Sequence, residues 1–525
     1  MGSTILEGSS FSTALSIVVP LAQRDATELE SITRSLESQS SQSWELVVAT
    51  TSPDLVRNFL EGRIATDRTA VVELPANATL AESIALSLEN CNGVAVSIVG
   101  PTDALAPQAV ESTLAALTDA VDVVYTDHVA GGETVLKPAF SPERLRGHNY
   151  VGSLVAYRRT LIAVIGGIRS DVAGAERYDL LLRATRMASS VIRIQDTLLT
   201  EGSVSLEEAW LIDEATRAAS TRVVLDDHLR QTGGGIVNAV SASGVFDTRR
   251  VVRDSPLVSI IIPTRGDSAS IRGVQRCLVV DAVRGVMENS TYQNMEIIIV
   301  LDDVSPPQVR QDLTELAGDL IKFVNWSRPF SFSGKMNLGA LHAKGEYLLL
   351  LNDDVEVISP DWIEAMLALA QRPKAGLVGA MLYFEDETIQ HAGHAYYRSD
   401  VTHIGLNSER GAAGPQNAFL VEREVDGVTA ACAVISREVF LEVGGFSDLL
   451  PGNFNDVDLC MKVATRGYQS YWTPHAELYH YESKSRDPRV ALYEIQTAWA
   501  RWEHLFWESK FWPMDPHTIY RKAAR

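Results

Sequence analysis

The chain has 525 residues, too many for one hydrophobic core, so two or more domains are expected. Its 46% hydrophobic and 22% charged residues, with 35 Gly and 20 Pro, exclude a disordered or fibrous protein. A net charge of −21 argues against a nucleic-acid partner, because phosphate binding draws on surplus Lys and Arg, and against broad adhesion to an anionic membrane.

In chain order, the opening MGSTIL lacks the Ser or Thr that the myristoylation pattern requires at its sixth position, so no lipid anchor is expected. Short β-rich runs then alternate with helix-like segments: SIVVP (Ser16 to Pro20), WELVVA (Trp44 to Ala49) and VAVSIV (Val94 to Val99). Leu206 to Gln231 reads as a helix and Thr232 to Gly244 as a turn-rich connector. The strand order returns with VSIIIP (Val258 to Pro263), MEIIIVL (Met295 to Leu301) and EYLLLLN (Glu346 to Asn352). Apolar strands bounded by helices imply parallel βαβ units with both sheet faces covered. The apolar runs are strand-length, too short to span a bilayer, so no transmembrane segment is predicted. Cys91, Cys277, Cys432 and Cys460 are widely spaced and follow no secretory signal, which reads as reduced thiols in a cytoplasmic protein.

The halves align with one another. GVAVSIVGPTDALAP from Gly93 lies on GEYLLLLNDDVEVISP from Gly345, and IGGIRSDVAGAERYDLLLR from Ile165 on VGGFSDLLPGNFNDVDLCMK from Val443. The expected division is a first domain over 1–205, a helical connector over 206–255, a second domain over 256–487 and a helical extension over 488–525. That extension is crowded with Trp499, Trp502, Phe506, Trp507 and Trp512, and only Arg521, Lys522 and Arg525 near its end are basic. Packing across the second domain is expected, with an interfacial role near a membrane-bound acceptor as the alternative.

Two acidic clusters carry chemistry in the second half. Asn352, Asp353 and Asp354 follow a parallel strand at its carboxyl end, where open α/β sheets place their ligands. Hard oxygen ligands there suit Mg²⁺ or Mn²⁺ on a diphosphate, although a solvated acidic turn has the same composition. Asp456 and Asp458 follow two glycines and precede a helical pattern, where Asp and Asn are also frequent caps. Together the clusters meet two needs of glycosyl transfer with inversion: a metal to stabilise a departing nucleoside diphosphate, and a carboxylate to take the proton of the attacking hydroxyl.

VSIIIPTRGD, EIIIVLDDVS, RPFSFSGKMNLGALHAKGEYLLLLNDDVEV, IQHAGH, VTAACAVISREVFLEVGGF, FNDVDLC and TPHAELYHYES follow one another between Val258 and Ser483. In these stretches the second half resembles the family 2 glycosyltransferases of the GT-A fold, of the type found in bacterial polysaccharide and O-antigen assembly. The resemblance implies two tandem α/β GT-A domains, Rossmann-like and of the nucleotide-diphospho-sugar transferase type, plus a C-terminal helical segment. It further implies a nucleotide-sugar donor and a glycan or lipid-linked glycan acceptor, with attachment to the inner face of the plasma membrane compatible and homo-oligomer formation open.

By the same resemblance, Pro263, Thr264 and Arg265 close the first strand over the nucleotide, Asp302 or Asp303 binds its base or ribose, and Lys335 and Asn337 reach the base or phosphates. Asn352-Asp353-Asp354 matches the DxD metal motif with Asn in the first place, leaving Asp354 as the direct ligand, and His480 matches a further ligand position. Asp456 falls at the general base and Asp458 beside it, while His391 and His394 are candidates for the sugar or acceptor pocket, or for core.

The first half resembles the same family with broken motifs: Gly100, Pro101 and Thr102 stand for the acidic cluster, Arg177 for Asp456, and Asp179 for Asp458, with Asp103 one place away. It reads as a degenerate copy kept for structure, acceptor binding or dimerisation. Two other readings of the chain stay open: a non-catalytic scaffold for another glycosyltransferase, and a sugar nucleotidyltransferase. The latter lacks support in PTRGDSAS, which offers one Gly and one Arg where a triphosphate loop needs more.

Overall fold

The computed structural model describes residues 14–22, 25–241, 243–482 and 490–517. The amino-terminal MGSTIL, Ser483 at the end of the last family motif, and the basic residues Arg521, Lys522 and Arg525 lie outside them. The chain forms two compact units, one of residues 1–140 and 148–248, the other of 141–147 and 249–525.

In the first unit the main sheet runs in the order Thr69–Glu73, Trp44–Thr50, Leu15–Ala22, Ala95–Ile98, Val155–Arg158, Val123–Ala130, Val191–Thr200 and Ala104–Leu105. In the second unit it runs Ile321–Trp326, Met295–Asp302, Val258–Thr264, Tyr347–Leu351, Cys432–Ser436, Ala375–Tyr383, Gln469–His480 and Val355–Val357. The two orders are the same, and so are the directions of every matching pair: parallel among the first four strands, antiparallel into the fifth and sixth, parallel into the seventh, antiparallel into the last. Tandem GT-A-like α/β domains are therefore present.

The continuous apolar runs follow from burial on both faces. Ile260 and Ile262 join one core with Ile297, Ile299, Leu349 and Leu351, while Ile261 joins the other with Ile298, Val300, Leu348 and Leu350. The strands end together at their carboxyl edge, where loops can hold polar groups that the apolar interior cannot.

Residues 206–255 divide between the units at Thr248. The single helix expected over Leu206 to Gln231 is broken: Leu206–Ala209 ends, Leu211 takes a positive φ of 54°, and Asp213 caps a new helix, Glu214–Gln231, by accepting from Thr216 N at 2.9 Å. The turn-rich stretch after it contains the strand Ile236–Val240, paired with Phe246–Arg249.

Residues 141–147 lie in the second unit, where Glu143 is buried against Arg250 and Arg372 at 2.9 and 3.1 Å, with Arg146 of its own segment at 2.7 Å. Burial alone would raise its carboxyl, but the arginines hold it well below the usual range. The helix Leu492–Trp502 packs on the helix Asn455–Thr465, and no helix among the described residues is long and apolar enough to cross a membrane.

Candidate active site

A cavity of about 870 Å³ opens at the carboxyl edge of the second sheet. Pro263, Thr264 and Arg265 from the first strand line it, with Asn352, Asp353 and Asp354 from the strand beside it and His480 from the long strand Gln469–His480. Asp456, in the first turn of the helix Asn455–Thr465, lines another part of the wall with His394, His403 and Glu482.

The acidic wall is built by short polar links. Thr264 Oγ1 donates to Asp353 at 2.6 Å, Lys335 Nζ donates to Thr264 O at 3.2 Å, and Lys335 forms an ion pair with Asp302. This chain ties together the ends of three neighbouring strands. Burial, then the adjacent Asp354 carboxylate, pushes Asp353 up to about 7.

His480 is held in the tautomer of a metal ligand. Its Nδ1 donates to Gln390 Oε1 at 2.7 Å, so Nε2 carries the lone pair, and that atom lies 3.2 Å from Asp354 Oδ1 and 3.0 Å from Asn352 Nδ2. Asn352 Oδ1 is buried with no hydrogen-bond partner among the described residues, an acceptor beside a carboxylate and an imidazole lone pair. This donor set fits Mn²⁺ or Mg²⁺.

Asp456 faces the cavity with 19% of its side chain exposed. Its Oδ1 accepts from Val457 N at 2.8 Å and its Oδ2 faces His394 Nε2 at 3.9 Å. The turn before it, Pro451 to Phe454, is fixed from the C-terminal helix, where Glu494 accepts from Gly452 N and Asn453 N, both at 2.8 Å.

Several expected residues lie elsewhere. Asp458 is fully buried away from the cavity and takes hydrogen bonds from Arg501 and Trp502, both at 2.9 Å, with Lys462 at 2.9 Å on its other oxygen. Asn337 exchanges two 2.9 Å hydrogen bonds with the Phe446 backbone, bracing the GGF turn. Asp302 reaches the site only through Lys335, and neither Asp303 nor His391 lines the cavity. Conversely, Gln390, His403 and Glu482 were missed. The signal for His403 is its pairing opposite His394 in a ribbon of two short strands.

In the first unit the sheet registers put Gly100, Pro101 and Thr102 where Asn352, Asp353 and Asp354 stand, and Glu201 where His480 stands. Asp103 caps the loop by accepting from Gly100 N at 2.8 Å and Gly202 N at 2.9 Å. Arg177, in the place of Asp456, is paired with Glu207 at 2.9 Å beside a cavity of about 350 Å³.

Residues 259–444 match the family model "Glycosyl transferase family 2". An uncharacterized protein, y4gI, of Sinorhizobium fredii (strain NBRC 101917 / NGR234) is 33% identical over 505 residues, covering 90% of this chain and 53% of that one. The O-antigen biosynthesis protein RfbC of Myxococcus xanthus is 29% identical over 496 residues, covering 90% and 38% respectively. The N-acetylglucosaminyl-diphospho-decaprenol L-rhamnosyltransferase of Mycobacterium tuberculosis (strain ATCC 25618 / H37Rv) is 28% identical over 160 residues, covering 28% and 51%. The chain thus spans about half or less of the length of these relatives. The family 2 glycosyl transferase match lies wholly within the second unit, over residues 259–444.

Proposed function

We propose that the second unit transfers a sugar, hexosyl or deoxyhexosyl, from a nucleotide-sugar donor to a hydroxyl of a glycan or lipid-linked glycan, with inversion, in cell-surface polysaccharide assembly. The observation that carries this is the presence in one cavity of an acidic wall with a metal-type histidine, Asp354 and His480, and a separate half-buried carboxylate, Asp456. Asp354 and His480, with Asn352 beside them, would hold Mg²⁺ or Mn²⁺. When bound, the ion supplies positive charge for the diphosphate leaving group. Pro263, Thr264, Arg265 and Lys335 form the wall on which the nucleotide would lie.

Asp456 takes the proton of the acceptor hydroxyl as its oxygen bonds to the anomeric carbon and the bond to the diphosphate breaks, with no covalent intermediate on the protein. One base suffices, in contrast to the paired carboxylates of glycoside hydrolases. The relatives named for O-antigen biosynthesis and rhamnosyl transfer support polysaccharide assembly as the setting. The first unit, with Arg177 and Gly100-Pro101-Thr102 at the matching places, serves as a degenerate copy without transfer activity. A calorimetric screen of UDP-, dTDP- and GDP-sugars with Mn²⁺, Mg²⁺ and EDTA tests the reading. Binding of one nucleotide class that EDTA abolishes is expected, and a folded protein that binds none of them contradicts it.

A further inference from the structure

Three histidines adjoin Asp456, and the direction of their hydrogen bonds decides what they do. The ribbon of His394–Tyr397 with Asp400–His403 sets His394 directly opposite His403. His391 completes the group, with ring centroids 4.8, 5.2 and 5.3 Å apart in edge-to-face contacts. Ligand atoms of the three lie within 4.8 Å of one another, which is also the look of a transition-metal site.

The hydrogen bonding opposes a metal. His391 Nε2 accepts from Thr429 N at 3.2 Å, so the proton of the neutral ring sits on Nδ1, which donates to His403 Nδ1 at 2.8 Å. A metal-ligating histidine does the reverse and donates from the nitrogen turned away from the ion, as His480 does to Gln390. His391 and His403 therefore form a hydrogen-bonded pair, and His394 is packed edge-on against both rings.

His394 itself is 2% exposed. Its Nδ1 is buried with no hydrogen-bond partner among the described residues, beside Gly427, where an added Cβ would lie 3.0 Å from it and 2.8 Å from the Tyr396 hydroxyl, and its Nε2 faces Asp456. A ring with one N–H to place turns it toward the carboxylate, where the donor gains a charged acceptor.

We propose that His394 is a positioning residue for Asp456: its Nε2–H, held by packing against His391 and His403, keeps the carboxylate turned toward the acceptor hydroxyl. This rests on the reading of Asp456 as the general base. The resting separation of 3.9 Å is longer than a hydrogen bond, as is common for catalytic contacts before substrate tightens them. An uncharged donor suits the task, since an imidazolium beside a carboxylate base would stabilise the ionised form and weaken it as a proton acceptor. Burial lowers His394 against the pull of Asp456, and burial followed by His394 lowers His403 to about 4, so both of these rings are neutral beside the carboxylate.

The test uses the full chain and a nucleotide sugar from the screen above, following release of nucleoside diphosphate in His394→Phe, His394→Gln and Asp456→Asn. His394→Phe should lower kcat about tenfold or more while the donor KM is unchanged, and His394→Gln, which keeps an N–H near Nε2, should recover most of it. Asp456→Asn should lose about 10²-fold. Should His394→Phe fail to fold, His394→Met carries the same comparison with Gln. Wild-type kcat in the apolar variant, or no recovery in a folded Gln variant, overturns the proposal while a disabled Asp456→Asn leaves the base assignment standing. Wild-type turnover in Asp456→Asn overturns the base reading itself. Stoichiometric Zn²⁺ binding that both His391→Ala and His403→Ala abolish would replace the proposal with a metal site.

Discussion

The two units share a polar framework and part company where the chemistry would sit. In the first, Ser16 Oγ donates to Glu45 at 2.5 Å and accepts from Gly93 N at 3.0 Å. In the second, Ser259 Oγ donates to Glu296 at 2.6 Å and accepts from Gly345 N at 2.8 Å. Neither glycine has room for a side chain: a Cβ would lie 2.5 Å from Ala14 O in one and 2.6 Å from Leu257 O in the other. Asp179 and Asp458 match as well, each buried and held by a basic residue one turn on, Arg183 at 2.6 Å and Lys462 at 2.9 Å. What both copies keep serves folding. What only the second has, Asp353, Asp354, His480 and Asp456, lines the cavity proposed to transfer sugar.

The sharpest way to break that comparison is to remove the shared aspartates. Asp458→Ala and Asp179→Ala each strip several charge-assisted hydrogen bonds from partly exposed cations and should cost about 3–5 kcal/mol by denaturant titration. A fully stable but inactive Asp458→Ala would return that residue to the catalytic set. Asp456→Asn should instead leave stability and donor affinity alone and reduce transfer by about 10²-fold, close to 2.7 kcal/mol in barrier terms. Turnover near wild type would erase the difference between the copies at this position.

Smaller effects test the metal wall. Asp354→Ala should weaken metal-dependent donor binding at least about tenfold, and Gln390→Ala, which frees the His480 ring to change tautomer, about tenfold, both by calorimetry. Smallest of all is Arg177→Asp. It restores a carboxylate to the first unit without a metal wall, and transfer should stay unchanged. A gain of activity would show that the first copy keeps more of the site than its sequence suggests.

Much of this was legible in the sequence because it depends on local pattern. The doubled strand order followed from apolar runs such as VSIIIP and EYLLLLN, and the acidic clusters stood out against the broken GPT and ERYD of the first half. The misplacement of Asp458 has a geometric cause: two residues along a helix turn the side chain about 200°, so Asp456 and Asp458 face opposite ways. Gln390 and Glu482 are joined across 92 residues, which spacing does not report, and His403 depends on the register of a short ribbon that brings it opposite His394. Long-range pairing also places residues 141–147 in the second unit, through Arg250 and Arg372 on Glu143, whereas Leu206 to Gln231 is broken locally, where the Asp213 cap outweighs a continuous helical pattern.

The most direct test of the claim that one copy carries the chemistry is a count of donor sites. Calorimetric titration of the full chain with the nucleotide sugar from the screen, in Mn²⁺, should give one site per chain, lost in Asp354→Ala and untouched in Arg177→Ala. Two sites per chain, or binding that survives Asp354→Ala at wild-type affinity, would contradict it.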